Sequence, residues 1–222
     1  MTMRRRTAIL ISGRGSNMVS LIEAARAPEY PADISLVLSN RPDAPGLATA
    51  KARGIATAAV DHKIYAGREA FEASLQQVLD INRIEFICLA GFMRLLTPSF
   101  TAHWTGRMLN IHPALLPSYK GLHTHERALA DGVKIHGCTV HFVVPEMDAG
   151  PIVAQAAVPV LDTDTPETLG ARVLAQEHVI YPRALELAAS DRLRIENNRV
   201  LGACWNVNHT ALVVPEHEDE DG

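Results

Sequence analysis

The sequence predicts an α/β protein with an open, mostly parallel, twisted sheet that carries helices on both faces. In the first half of the chain, short apolar runs alternate with stretches of helical length, as in proteins built from parallel β-α units. After about residue 112 the apolar runs become longer, which predicts mixed strands, one long helix and a terminal hairpin in the second half. With 222 residues, 47% of them hydrophobic and 21% charged, the chain can form one sizeable core.

The first half is predicted to begin with a buried strand and to continue in regular alternation. The run FICLA is too short for a typical helix and is wholly apolar, which favours a central strand at 85–90. Gly54 ends the second helix. The predicted strands are residues 7–12, 34–39, 55–60, 85–90 and 108–111, and the predicted helices are 16–27, 47–53 and 68–81.

The second half is predicted to contain strands at 138–144 and 152–160 and a long helix at 165–189. Pro182 lies inside the apolar pattern of this helix. Proline removes a backbone donor and its ring clashes with the carbonyl four residues earlier, which here belongs to His178. A kink or break near Glu177 and His178 is therefore expected.

The end of the chain shows two further patterns. The stretch RLRIENNRVLG, residues 192–202, has two short alternating runs around Asn197 and Asn198, which predicts a β-hairpin. The tail at 206–222 contains the acidic stretch EHEDEDG, which lacks apolar residues, and it is predicted to be disordered.

Composition and charge narrow the possible functions. The net charge of −4 gives no basic surface for nucleic acid, and no run approaches the roughly 18 apolar residues of a membrane helix. The cysteines Cys88, Cys138 and Cys204 lie far apart and form no CxxC motif. An odd, scattered set favours a reducing compartment with buried thiols. We therefore expect a soluble cytoplasmic protein.

A glycine-rich loop, residues 13–17, follows the first predicted strand in the stretch ISGRGSN. A dinucleotide-binding fingerprint would have a third glycine at position 18, which is Met18, and no Walker lysine follows either. Bare backbone N–H groups at a helix start would suit a single phosphate monoester. The alternative, which the loop alone leaves open, is that Ser16 or Asn17 merely caps a helix.

Two polar side chains stand at the end of the predicted strand at 108–111. Asn110 and His112 are two residues apart, so they share a face of the strand, and Pro113 then ends regular structure. Ligands of open α/β sheets bind at this carboxyl edge. An Asn amide can donate to an oxyanion, and a His can move a proton near neutral pH. The alternative is a buried structural Asn-His hydrogen bond.

A third candidate is the acid in VVPEMDAGPIVAQ, residues 143–155. Asp148 lies in a loop with Pro145, Gly150 and Pro151, between two apolar strands. A carboxylate there can favour the protonated form of a nearby histidine or hold a water molecule. The alternative is an ordinary turn aspartate.

Together these motifs resemble one known family. The stretches ISGRGSN, LAGFMRLL, LNIHPALLPSYKGLHTH, HGCTVHFV, DAGPIVAQ and QEHVIYP are similar, in order and spacing, to those of the phosphoribosylglycinamide formyltransferases of purine biosynthesis. The resemblance runs from about residue 7 to about residue 201. It implies transfer of the formyl group of 10-formyltetrahydrofolate to the amine of glycinamide ribonucleotide.

The resemblance also implies a domain organisation and partners. One formyltransferase catalytic domain would span 1–205, with a Rossmann-like, phosphate-binding half at about 7–105 and a half with catalytic residues and folate loop at about 106–205. The co-substrate would be 10-formyltetrahydrofolate, with no metal. The partners would be small molecules, not nucleic acid or membrane, and the chain could be a monomer or a homodimer.

Site residues follow from the resemblance position by position. The catalytic residues would be Asn110, His112 and Asp148. The substrate phosphate and ribonucleotide would be held by Gly15, Ser16, Asn17 and Glu177. The folate would be held by Arg68, Met93, Arg94, Leu95, Leu96, Asn110, Val144, Pro145, Glu146, Met147 and Asp148.

Other interpretations remain. Methionyl-tRNA formyltransferase and formyltetrahydrofolate deformylase share the Asn-His-Asp chemistry, but the first carries an added C-terminal domain and the second an N-terminal one, for which the chain is expected to have no room. A non-catalytic nucleotide-binding module would leave the Asn-His-Asp set unexplained. His123, His125, His136 and His141 complete no metal-ligand spacing, although His123 and His141 are expected to border the site.

Overall fold

The structure is a computed structural model and describes residues 4–202. The predicted disordered tail at 206–222 and Cys204 lie outside the described residues. A seven-stranded sheet has the order β3-β2-β1-β4-β5-β6-β7. Its strands are β1 Arg5–Ile11, β2 Ala32–Ser39, β3 Ala56–Ala59, β4 Phe86–Leu89, β5 Met108–His112, β6 Ile135–Phe142 and β7 Ile152–Pro159.

The first five strands pair in parallel, and β6 and β7 are antiparallel to their neighbours. This confirms the predicted mostly parallel sheet with a mixed second half. The order of the first five strands is that of a Rossmann-like half, with its switch point between β1 and β4. The carboxyl ends of β1, β4 and β5 therefore meet at one edge, where ligands bind in such sheets.

Helices cover both faces of the sheet, as predicted. They are α1 Ser16–Ala24, α2 Pro45–Ala52, α3 Arg68–Ile81, α4 Pro98–His103, α5 Thr124–Ala130 and α6 Pro166–Ala189. One apolar cluster joins α1 and α6 to the sheet, and a second on the other face includes Phe71 and Leu75 of α3 and Trp104 after α4. The sequence analysis did not predict α4 and α5, because helices of six or seven residues are too short to show a helical period.

The long helix α6 continues through its proline, so the kink or break predicted near Glu177 and His178 does not take the form of a break. Its buried face, which includes Tyr181 and Leu185, packs into the larger core cluster. The Tyr30 hydroxyl donates to the Pro182 carbonyl at 2.6 Å. Tertiary packing of this face outweighs the local cost of one lost backbone hydrogen bond.

The predicted hairpin is present as β8 Arg194–Glu196 and β9 Arg199–Leu201, which pair antiparallel. Asn197 and Asn198, which join them, both have positive φ, 50° and 60°. Left-handed backbone at both central positions is the requirement of the tight hairpin turn that favours asparagine.

Candidate active site

The site is built at the carboxyl edge of the sheet, around the end of β5. His112 is 5% exposed, and its Nδ1 lies 3.6 Å from Asp148 Oδ2. Its Nε2 lies 2.9 Å from the carbonyl oxygen of Tyr119, to which it donates. Both ring nitrogens thus face oxygen atoms, and an imidazolium here would donate to the Tyr119 carbonyl and lie at ion-pair distance from the Asp148 carboxylate.

Asp148 lies in the loop between β6 and β7, with a left-handed φ of 51°. The Gly121 N–H donates to its Oδ2 at 2.8 Å, and Nε2 of His141 lies 3.9 Å from its Oδ1. This carboxylate therefore stands between two imidazoles and a backbone donor, whereas an ordinary turn aspartate would face solvent or its own turn.

Asn110 is oriented by a histidine that the sequence analysis placed only at the border of the site. The Asn110 amide nitrogen lies 3.2 Å from Nε2 of His141, and His141 Nδ1 donates to the Phe142 carbonyl at 2.9 Å. His141 Nε2 must then accept from the amide. Burial lowers the pKa of His141, which keeps the ring neutral in this role.

The structure therefore pairs Asn110 with His141 across two antiparallel strands, where the two residues are register partners. Among the described residues Asn110 makes no hydrogen bond to His112, the pairing that the alternative interpretation required. The family resemblance placed His141 at the border of the site, but a single strand does not reveal the register of its neighbour, so its pairing with Asn110 could not be predicted.

The glycine loop leads from β1 into α1. Gly15 precedes the helix with a left-handed φ of 72° and no side-chain cap, so neither Ser16 nor Asn17 serves as the helix cap. Asn17 instead donates to Glu177 Oε2 of α6 at 2.6 Å, and its own Oδ1 is buried without a partner among residues 4–202. Burial raises the pKa of Glu177 above its ordinary value, and the hydrogen bond from Asn17 offsets part of this rise.

A further glycine, which the sequence analysis missed, shapes this loop. The Gly46 N–H at the start of α2 donates to the Gly13 carbonyl at 3.1 Å. A Cβ at Gly46 would lie 2.5 Å from Ile11 Cδ1 and 2.8 Å from that carbonyl oxygen. Only glycine permits this close approach of α2 to the loop.

The predicted folate residues form two segments and one separate side chain. Met93 and Leu95 follow β4 and are 66% and 62% exposed. Leu96 and Val143 are partly buried and pack against the apolar cluster that includes Trp104. The loop 144–148 is half-buried to exposed. Arg68 is exposed at the first residue of α3 and has no hydrogen bond or ion pair within the described chain.

Two open cavities lie at this edge of the sheet. One, of about 550 Å³, brings the start of the glycine loop together with the segment after β4, and it is lined by Ser12, Gly13, Asn40, Arg41, His62, Lys63, Gly91, Met93 and Arg94. The other, of about 440 Å³, borders Asp148 and the hairpin residues Asn198 to Val200.

His123, His125 and His136 make no hydrogen bond or ion pair with Asn110, His112 or Asp148 in the described part of the chain. His123 is exposed and faces Glu126 at 3.3 Å. His125 Nδ1 and His136 Nε2 lie 3.2 Å apart, and both groups have lowered pKa values, chiefly because they are buried. Residues 4–202 contain no group of three metal-ligating side chains and no helix able to cross a membrane.

Comparison with known proteins identifies the family. The family model described as formyl transferase matches residues 5–185 of the chain. The chain belongs to the formyl transferase family. This confirms the resemblance read from the motifs.

Among formyl transferases, the phosphoribosylglycinamide formyltransferase of Escherichia coli is 44% identical over 197 residues, 89% of this chain and 91% of the relative. The crystal structure of phosphoribosylglycinamide formyltransferase from Brucella melitensis is 56% identical, with a TM-score of 0.81 over 84% of this chain and 96% of that one.

A longer relative is the trifunctional purine biosynthetic protein adenosine-3 of Bos taurus, 48% identical over 203 residues. The match covers 91% of this chain but 20% of that relative. The chain thus spans about a fifth of the length of the trifunctional relatives it matches.

Proposed function

We propose that this formyl transferase passes the formyl group of 10-formyltetrahydrofolate to the amine of glycinamide ribonucleotide. The products are formylglycinamide ribonucleotide and tetrahydrofolate, a step of de novo purine biosynthesis. The observation that carries the proposal is the convergence of Asn110, His112 and Asp148 at the sheet edge that also holds the glycine loop. The names of the bacterial relatives support the choice of substrate.

Asn110 stabilises the transition state in this proposal. When the amine attacks the formyl carbon, the carbonyl oxygen gains negative charge. One amide N–H of Asn110 is used by His141, at 3.2 Å, which leaves the other N–H for that oxygen. Such a donor is typically worth about 3 kcal/mol in the transition state.

His112 and Asp148 stabilise the charge of the intermediate and assist the proton transfers. The new C–N bond forms as the amine loses a proton, and the bond from the formyl carbon to N10 breaks as N10 gains one. An imidazolium at His112, held toward Asp148 at 3.6 Å, stabilises the tetrahedral intermediate electrostatically. Asp148 assists proton movement through a bound water.

The glycine loop binds the ribonucleotide phosphate. Backbone N–H groups at Gly15, Ser16 and Asn17 begin α1, where the helix dipole favours an anion. The unpartnered Asn17 Oδ1 can accept from a hydroxyl of the ligand. Glu177 fixes the Asn17 amide, and by resemblance to the family it would contact the ribose and glycinamide end.

The folate is held between the segment Met93–Leu96 and the loop Val144–Asp148. Met93 and Leu95 supply exposed apolar surface, and the irregular backbone supplies donors and acceptors for the edge of the pteridine. Exposed Arg68 would meet the carboxylate end of the folate. The catalytic domain is proposed to span residues 1–205 and to act on small molecules in the cytoplasm.

An assay of the full chain tests the proposed function. The chain is incubated with 10-formyltetrahydrofolate, with and without glycinamide ribonucleotide, and the deformylated folate is measured. Formation of tetrahydrofolate only when the ribonucleotide is present supports the proposal. Release of formate without it would indicate a deformylase, and no reaction with either would contradict formyl transfer.

A further inference from the structure

The segment between β4 and α4 has no regular secondary structure, but hydrogen bonds fix its first residues. The Ser12 N–H donates to the Gly91 carbonyl at 3.1 Å, and the Ser12 hydroxyl accepts from the Met93 N–H at 2.7 Å. The same hydroxyl donates to Asn40 Oδ1 at 2.6 Å. The first residues of the segment are therefore tied to the ends of β1 and β2.

The end of the segment is held by a buried acid on α3. Glu72 is 5% exposed, and its Oε1 accepts from the Thr97 N–H at 2.7 Å. Its Oε2 accepts from the Thr97 hydroxyl. Within residues 4–202 no Lys, Arg or His nitrogen forms an ion pair with this carboxylate, so both of its oxygens are satisfied by one residue, Thr97.

Burying a carboxylate costs free energy unless hydrogen bonds compensate, so the buried position of Glu72 requires a structural or functional explanation. Joining α3 to α4 is a weak reason, because Trp104 Nε1 already donates to Gln76 Oε1 at 2.9 Å and links the same two elements. What Glu72 adds is a fixed position for Thr97, the residue that ends the exposed segment Met93–Leu96.

The position of Glu72 on its helix supports a role in the site. Arg68 lies four residues before Glu72, so the two side chains project from the same side of α3. Arg68 is exposed at the helix start, whereas Glu72 points into the protein beneath the segment. One face of α3 thus carries both the cation assigned to the folate and the anchor of the folate segment.

We propose that Glu72 is a positioning residue for the folate site, acting through Thr97 on the backbone of Met93–Leu96. Because a pteridine is recognised by backbone donors and acceptors, a shift of this backbone weakens folate binding, whereas the ribonucleotide site at the glycine loop is left intact. This inference rests on the proposed function.

The test compares Glu72→Leu with Gln76→Leu in the full chain. Glu72→Leu removes both bonds to Thr97 and is expected to weaken binding of a folate analogue about tenfold, since hydrogen bonds to a charged group are lost. Affinity for glycinamide ribonucleotide should stay within about twofold. Gln76→Leu removes the other link between α3 and α4 and should lower thermal stability without changing folate affinity.

Two further variants sharpen the test. Glu72→Gln keeps an acceptor for the Thr97 N–H and should restore most of the folate affinity. Thr97→Val removes the hydroxyl bond to Glu72 together with the cap that this hydroxyl gives the Phe100 N–H of α4, but keeps the bond from the Thr97 N–H. A smaller loss of folate affinity in the same direction is expected even if Glu72→Leu does not fold. Calorimetry gives both affinities for each folded variant.

Unchanged folate affinity in folded Glu72→Leu or Thr97→Val would overturn the positioning role. So would equal weakening of folate and ribonucleotide binding, which indicates general loosening of the structure. If the unmodified chain does not bind the folate analogue at all, the proposed function fails instead, so the two failures are distinguishable.

Discussion

At the scale of single residues, the site depends on how one carboxylate is surrounded. Asp148 faces His112 at 3.6 Å and His141 at 3.9 Å, and it accepts from the Gly121 N–H at 2.8 Å. Its left-handed φ of 51° is tolerated by aspartate better than by most residues. Asp148 therefore places one carboxylate beside both histidines of the site.

Replacing Asp148 by Asn nearly keeps this shape and removes the charge. The turnover rate is expected to fall by a factor of about 100 to 1,000, the usual size of a lost electrostatic contribution to a transition state. Binding of glycinamide ribonucleotide should persist, since the glycine loop is unchanged, and folate binding should weaken much less than turnover, since Asn keeps the shape of the Asp148 side chain in the folate loop. Steady-state kinetics and calorimetry check both parts.

Asp162→Asn is the matched control, because Asp162 lies in an exposed pair with Lys134 at 2.9 Å, away from the site. This variant should retain normal turnover. Near-normal turnover in Asp148→Asn itself would return Asp148 to the role of an ordinary turn residue.

At the scale of elements, two contacts hold neighbouring segments together around the site. The start of α2 touches the glycine loop through Gly46 and the Gly13 carbonyl, at 3.1 Å. On the other side of the site, His136 of β6 and His125 of α5 pack ring against ring, with centroids 5.3 Å apart. The first contact fixes the glycine loop against α2, and the second joins α5 to β6.

Gly46→Ala is expected to displace the glycine loop, because the new methyl group would lie 2.8 Å from the Gly13 carbonyl oxygen. The KM for glycinamide ribonucleotide should rise about tenfold or more, while folate affinity changes little; overpacking of this kind typically costs about 1–3 kcal/mol. Kinetics with each substrate varied in turn gives the comparison.

Gly67→Ala serves as the control, since a Cβ there would contact only the Glu69 carboxylate, at 3.4 Å. Its ribonucleotide KM should match that of the unmodified chain. If Gly46→Ala leaves that KM unchanged as well, the loop does not hold the phosphate.

The His136 contact predicts a pH-dependent stability. Burial, followed by the nearby His125, lowers the pKa of His136 to about 4. As the pH falls from about 6.5 to 4, the unfolded chain therefore binds a proton that the folded chain does not. The free energy of unfolding should decrease in this range, by at most about 1.36 kcal/mol per pH unit for this group.

Urea unfolding at pH 7 and pH 5 measures this slope. His136→Gln should make the slope shallower, whereas His103→Gln, at the exposed last residue of α4, should not. Equal slopes in the unmodified chain and His136→Gln would show that His136 does not carry the effect.

At the scale of the whole molecule, a buried acid joins the two halves of the chain. Glu177 on α6 accepts from Asn17 on α1 at 2.6 Å, although 160 residues separate them. Burial raises the pKa of Glu177, so its charged form is disfavoured in the fold. For a carboxyl group with a raised pKa, stability decreases as the pH rises above its value in the unfolded chain, near 4.5.

Glu177→Gln should separate stability from function. The Gln side chain can still accept from Asn17, and the burial cost of a charge is gone, so the free energy of unfolding at neutral pH should be equal or higher. The KM for glycinamide ribonucleotide should nevertheless rise, because the proposed contact of the Glu177 carboxyl group with the ribonucleotide is altered. Denaturation and kinetics on one preparation test this, and a less stable variant would contradict it.

Most of the sheet and its ligand edge could be predicted from the sequence, because the signals are local. Period-two and helical apolar patterns identify strands and helices within a single window, and the paired Asn197 and Asn198 identify their own turn. Asn110 and His112 lie on one strand, so their spacing alone placed them on one face. The family motifs added the roles that are proposed for these residues.

What only the tertiary structure decided depends on contacts between distant segments. The pairing of Asn110 with His141 requires the register of two strands, and the continuity of α6 past Pro182 requires the core that packs against it. Glu72 resembles any helix acid in sequence until Thr97, 25 residues away, is folded onto it. These contacts are stabilised by burial and by side chains from distant parts of the chain, which no local sequence pattern encodes.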